Sequence, residues 1–163
     1  MSVAPRRTRS SRLVIGWREW VALPDWDVPW IKAKIDTGAR TSALHAYDME
    51  TLERDGAAWA RFTIHPWQGS SADSVVVEAP LLDSRAVRSS SGSARVRPVV
   101  ITTVELAGGA VPVEVTLTRR DEMGFRMLIG RQALRGAFIV DPARSYLGAK
   151  PAREIRRRNR GRT

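Results

Sequence analysis

Apolar and polar positions alternate along this chain in short runs separated by glycine, proline and aspartate, which is the pattern of a protein built from many short β-strands. Residues 13–15 and 20–23 flank Gly16 and predict a first strand pair or one broken strand, and residues 24–27 predict a turn. Over residues 31–35, Ile31, Ala33 and Ile35 occupy one face and Lys32 and Lys34 the other, as in a half-buried strand. Residues 43–47 continue extended. The Asp55-Gly56 pair predicts a hairpin turn ahead of a strand over 59–65, and a strand over 75–79 follows. Residues 81–88 and 96–104 flank a small-residue tip at 89–93, and Gly108-Gly109 joins 100–106 to 111–117 as a second hairpin. Residues 127–129 read as a short buried strand ending at Gly130. Residues 131–135 read as the one short helix, closed by Gly136, and 138–140 as a last strand stopped by Asp141-Pro142. The expectation is an all-β domain, closed or sandwich-like, with no internal repeat.

A length of 163 residues suits one domain with a proper core, assigned to 13–149 and flanked by basic disordered tails at 1–12 and 150–163. The formal net charge is +10, and the tails carry all of it. Residues 1–12 hold four arginines and no acid, residues 150–163 hold seven basic side chains against Glu154, and the 13–149 domain balances 16 bases with 16 acids. The domain is therefore not a basic nucleic-acid binder, and the tails are read as solvated ends, the alternative being weak arms for RNA or ribosomes. Cysteine is absent, which excludes disulfides and thiolate chemistry. The N-terminal arginines are followed by only three apolar residues, so no export signal is expected. No apolar run reaches the ~18 residues of a membrane span. The expected location is the cytoplasm. Six tryptophans are assigned to packing in the core or at a dimer interface rather than to base stacking.

Candidate chemistry begins where the 31–35 strand ends, at Asp36-Thr37-Gly38-Ala39. A carboxylate, a small hydroxyl residue and a glycine at a strand end make half of a two-carboxylate site, and alone they are equally a surface turn. Far downstream, Leu128-Ile129-Gly130-Arg131 leads into the short helix. The two segments in this order resemble the retroviral-type, retropepsin-like aspartic protease pattern, in which an apolar-apolar-Gly strand braces the Asp-Thr-Gly-Ala loop. Residues 13–148 also resemble a bacterial family often labelled ATP-dependent zinc protease. Its features appear here as Gly16-Trp17-Arg18-Glu19, as residues 32–44 around Asp36, and as residues 123–131. The resemblance implies a retropepsin-like all-β barrel with one short C-terminal helix.

The zinc and ATP parts of that label find no support in the residues. A catalytic zinc site takes three ligands from His, Cys and carboxylates, and the chain has only His45 and His65, with no His-Glu-x-x-His segment. A mixed site of His45, His65 and an acid is the alternative to two ordinary strand histidines. A Gly-x-x-x-x-Gly-Lys phosphate loop is also missing. No cofactor and no metal are therefore expected.

With one Asp-Thr-Gly per chain, the second aspartate is expected from a second copy, and the resemblance implies a homodimer with one Asp36 from each subunit at a two-fold axis. Asp36 is then the catalytic group. By resemblance Thr37 bonds across to the partner's loop, while Gly38 lets substrate backbone approach. Leu128, Ile129 and Gly130 support the loop. In many viral members an acid follows Asp-Thr-Gly-Ala; here Arg40 stands in that place, and Arg131 remains. Ala39, Arg40 and Arg131, joined by Lys32, Lys34 and Arg126, are therefore assigned to substrate binding, with acidic or polyglutamylated peptide as the expected ligand. The alternative is that Asp121, Glu122 or Asp141 neutralises these arginines. Family members are similar to proteins encoded beside ATP-grasp glutamate ligases, which makes such a ligase an expected partner. The other functional reading is a catalytically silent module of the same fold that binds acidic peptide. The flap that covers substrate in such enzymes is assigned to the 89–93 tip, at Ser90, Ser91 and Gly92.

Overall fold

The computed structural model describes residues 12–88, 94–119 and 124–158. Along the chain run β1 (Leu13–Gly16), β2 (Arg18–Leu23), a 3-10 turn (Pro24–Trp26), β3 (Val28–Asp36), β4 (Ser42–His45), β5 (Tyr47–Arg54) and β6 (Ala57–Ile64). They continue as β7 (Val75–Pro80), β8 (Asp83–Arg88), β9 (Ala94–Leu106), β10 (Gly109–Thr118), β11 (Met127–Gly130), α1 (Arg131–Leu134), β12 (Phe138–Asp141) and α2 (Arg153–Arg158). Six strands close a barrel in the order β10-β4-β11-β3-β2-β9 and back to β10, and β8 pairs on the outer side of β9. Closure removes the exposed edges that an open sheet would present. The three-stranded sheet β5-β6-β7 packs on the same interior, since Ala60, Phe62, Ile64, Val77 and Ala79 join Ile31, Ile35, Leu44, Val100, Leu117 and Ile129 in one buried cluster. The expectation of a closed all-β domain therefore describes the fold.

The hairpins follow local chemistry. Asp55 and Gly56 turn β5 into β6 with φ of 50° and 78°, the consecutive positive values that a tight primed turn requires. The second hairpin turns one residue earlier than the Gly108-Gly109 pair suggests. Its positive φ values fall on Ala107 (51°) and Gly108 (85°), and Gly109 already pairs with Leu106.

The expected pairing of the first two strand segments is not what forms. β1 instead pairs in parallel with β12, matching Val14 to Ile139, while β2 pairs with β3. The break lies at Gly16, where an added Cβ would sit 2.3 Å from the carbonyl oxygen of Arg144. Only glycine lets the 144–148 segment lie against the chain there. Helix α2 lies in the described part of the basic C-terminal segment, after the buried Pro151. The tryptophans pack: buried Trp26 meets Phe62 edge-on at 5.3 Å, and Trp20 meets Trp67 at 5.8 Å. No helix among the described residues is long and apolar enough to cross a membrane.

Candidate active site

Asp36 closes β3, whose inward residues Ile31, Ala33 and Ile35 anchor the strand in the core. Alternation then turns Lys32, Lys34 and Asp36 to the opposite face. The Asp36 carboxylate folds back over its own loop: Oδ1 accepts hydrogen bonds from the backbone N–H of Gly38 at 3.0 Å and of Ala39 at 3.2 Å. The Asp36 backbone carbonyl also accepts from Ala39 at 3.2 Å. These bonds hold the side chain at one orientation in a half-exposed position, while Thr37 and Gly38 are exposed beside it.

The downstream strand braces this loop as the motif pair suggests. β11 runs parallel to β3 with Ile129 level with Ile35 and Gly130 level with Asp36. Beyond Gly130 the backbone N–H of Arg131 donates to Ala39 carbonyl at 2.8 Å, and that of Gln132 to Arg40 carbonyl at 3.1 Å. The fit at Gly130 is tight: an added Cβ would lie 2.3 Å from the carbonyl oxygen of Thr41 and 3.0 Å from that of Ala39. Gly130→Ala must push the loop backbone away, so it is expected to cost about 3 kcal/mol or more and to displace Asp36. A thermal melt at wild-type temperature would contradict this.

Ser42 is a contributor that motif reading does not reveal. It is buried, and its Oγ accepts the backbone N–H of Gly130 at 3.0 Å, tying the end of the Asp36 loop to β11. Its sequence signals are its place in the 32–44 segment and a hydroxyl six positions after Asp36, and neither discloses the bond to Gly130.

The basic residues divide into two groups. Arg40 and Arg131 are exposed on the two backbone segments bonded to each other beside Asp36, and Lys34 is exposed two residues before it. Lys32 and Arg126 lie against aromatic side chains. The Lys32 ammonium lies 5.3 Å from the Trp20 ring centre and 5.9 Å from that of Tyr146. The Arg126 guanidinium donates to the Tyr47 hydroxyl and to the Trp67 carbonyl at 3.5 Å. It immediately precedes β11, at the end away from Gly130. Asp141 caps Ala143 N–H at 2.9 Å and sits 3.8 Å from Arg144, so it is engaged within its own turn. Asp121 and Glu122 lie outside the described residues, as do the flap residues Ser90, Ser91 and Gly92.

Both histidines pack on Tyr47. His45 is buried and stacks on Tyr47 at 4.6 Å, while His65 meets the same tyrosine ring edge-on at 4.1 Å. Burial and then the charge of Arg126 hold the His65 imidazole below its ordinary value, with Asp48 opposing. Cation-repelling surroundings of that kind suit a neutral packing residue. Among the described residues no group of three His, Asp or Glu could hold a metal ion.

The motif pair, its mutual bracing and the barrel agree with the comparison that decides the family. A family model described as "RimB-like: Retropepsin-like aspartic endopeptidase RimB" matches residues 14–151. The chain belongs to this RimB-like family. The match takes in every barrel strand, the Asp36 loop and the 144–148 segment. Two Shewanella proteins, each named probable alpha-L-glutamate ligase, are similar to it as well. The one from Shewanella pealeana is 42% identical over 146 residues, which is 89% of this chain and 32% of that protein. The one from Shewanella halifaxensis is 42% identical over 136 residues, 83% of this chain and 30% of that protein. A Parasynechococcus marenigrum protein of the same name is 42% identical over 135 residues, 83% of this chain and 29% of its own length. The RimB-like chain thus spans about a third of the length of these relatives. Among solved structures, that of Lpg0085 from Legionella pneumophila, a protein of unknown function, superposes with a TM-score of 0.71 at 27% identity. The superposition covers 84% of this chain and 98% of that one.

Proposed function

We propose that this RimB-like chain is a homodimeric aspartic endopeptidase of the cytoplasm that cleaves acidic or polyglutamylated peptides. The observation that carries this reading is the Asp36 carboxylate, held at a strand end by two loop amides and locked from below by Gly130. One such carboxylate is half of a water-activating pair. In the dimer the two Asp36 groups share a proton and hold a water molecule between them. One carboxylate takes a proton from the water as it attacks the peptide carbonyl. The other, protonated, donates to the carbonyl oxygen. Arg40 and Arg131 stand beside this loop as the charges that favour an acidic substrate.

Support for a second copy comes from the β1–β12 ribbon. Val14 and Ile139 are directly paired and 51% and 50% exposed, on a two-stranded sheet that pairs with no third strand among the described residues. The other face of the ribbon, at Ile15 and Phe138, is buried in the core, and a second chain packed on the outer face would bury Val14 and Ile139. Ile139→Glu is expected to shift the chain to monomer in sedimentation velocity and to remove cleavage with it. A dimer that persists with full activity would exclude this ribbon from the interface.

A second reading rests on a different observation: relatives named probable alpha-L-glutamate ligase contain a stretch similar to nearly all of this chain. On that reading the domain is a catalytically silent module that binds acidic peptide for an ATP-grasp glutamate ligase. The two readings separate on Asp36→Asn, which ends cleavage on the first and leaves ligase or peptide binding intact on the second.

A further inference from the structure

The segment Gly16-Trp17-Arg18-Glu19 is only partly accounted for by the fold. Gly16 makes room for the Arg144 carbonyl, and Glu19 is turned inward. Arg18 is neither buried nor loose. Its guanidinium carbon lies 4.6 Å from the centre of the Trp17 ring and 4.9 Å from that of Tyr146, and its Nε donates to Ser145 Oγ at 3.1 Å. Two aromatic faces and a hydroxyl thus hold a half-exposed guanidinium in place.

Register puts this group beside the active-site loop. Arg18 stands directly opposite Lys34 in the antiparallel β2–β3 pair, and the Trp17 carbonyl accepts from Ile35 N–H at 2.8 Å. Directly opposed residues share a face, and Asp36, two positions on, is the diagonal neighbour of Arg18 at a distance on the order of 7–8 Å. Like charges placed opposite one another are destabilising in such a pair. Among the described residues no carboxylate forms an ion pair with either Arg18 or Lys34. Asp36 shares the face, but its Oδ1 is occupied by the Gly38 and Ala39 amides. A prepositioned guanidinium facing an ammonium, with no carboxylate paired to either among the described residues, is a place suited to an anion.

We propose that Arg18, with Lys34 facing it across the β2–β3 pair, forms a carboxylate-binding subsite beside Asp36. The subsite rests on the acidic-substrate reading above and names a residue pair that selects for it. The planar guanidinium, held against its ring partners with Nε on Ser145, offers its remaining N–H groups to one carboxylate, and Lys34 adds a point charge to the same group. Because the rings hold the arginine, little side-chain entropy is lost on binding.

The test uses the full chain and acetylated, amidated peptides in which a run of glutamates is exchanged for glutamines, so that side-chain carboxylates are the only difference. The readout is the ratio of kcat/KM between the glutamate and glutamine peptides. Arg18→Gln is expected to lower that ratio about ten- to hundredfold, through KM, as loss of a charge-assisted pair does. Arg18→Lys is expected to restore part of it, and Lys34→Gln, an exposed change, to lower it as well. A glutamine peptide with a free C-terminus separates the two sources of carboxylate: tighter binding than its amide, lost in Arg18→Gln, assigns the subsite to a terminal carboxylate. Binding of the same peptides to Asp36→Asn, with and without Arg18→Gln, is measured without turnover. If the wild type cleaves nothing but glutamate peptide binds in an Arg18-dependent way, the protease reading fails and the subsite stands. If the wild type cleaves and the ratio is the same in all three variants, the subsite fails and the protease reading stands. A lowered melting temperature with an unchanged ratio would make Arg18 a purely structural clamp and overturn the proposal.

Discussion

Asp36→Asn is expected to abolish peptide hydrolysis while leaving the barrel folded. The asparagine side chain has the same shape, and its Oδ1 can still accept from the Gly38 and Ala39 amides that position Asp36. The loop should therefore keep its geometry, and the melting temperature should stay near that of the wild type. What is lost is the ability to take a proton from water, and with it a rate factor of about 10³ or more, because no other group in the loop can act as a base. The shared-site reading adds a sharper expectation. If each site needs Asp36 from both chains, then mixing equal amounts of wild-type and variant protein and allowing subunit exchange should leave about a quarter of the dimers active. Activity in simple proportion to the wild-type share would mean that each chain works alone, and it would end the two-chain mechanism. Full activity in Asp36→Asn itself would move the chemistry to another residue and favour the binding-module reading.

The parts of this site legible in the sequence are those coded by short-range pattern. Alternation along Ile31–Ile35 sets which side chains face inward, so it also sets the face on which Asp36 emerges. Leu128-Ile129-Gly130 is readable because a buried strand and a space-limited glycine leave a compact signature, and the structure gives the reason in the 2.3 Å approach to Thr41. The parts not legible depend on residues far apart in the chain. Nothing local tells β1 to pair with β12 rather than with β2, since the partner lies 125 positions away at Val14 and Ile139. For Arg126, assigned to substrate binding, the sequence cannot show that Tyr47 and Trp67 engage it. Arg18 was hidden for the converse reason. Its neighbours Ser145 and Tyr146 arrive from the other end of the chain, and without them the Gly16-Trp17-Arg18-Glu19 segment shows nothing of what holds the guanidinium.

Glu19 is the strongest case of a role that only long-range structure discloses, and its replacement should have the largest effect on stability. The side chain is fully buried, and its two oxygens accept three backbone amides: Gly16 at 2.7 Å and Leu147 at 3.0 Å on Oε2, and Gly148 at 2.9 Å on Oε1. A carboxylate has acceptor capacity on both oxygens, so one residue satisfies a turn and the segment that crosses it. Glu19→Ala leaves three amides without these bonds beside an empty volume, and should cost about 3–5 kcal/mol. For a chain of this size that is a fall in melting temperature of roughly 10 °C. Glu19→Gln should be intermediate, because its carbonyl can keep the pair of amides on one oxygen while its NH2 group faces the third donor. The amides of Leu147 and Gly148 should lose hydrogen-exchange protection before the barrel strands do. The loss should also reach function, since the same segment carries Ser145 and Tyr146 onto Arg18. A Glu19→Ala chain that melts with the wild type and keeps those two amides protected would show that the 144–148 segment is held by its aromatic contacts alone.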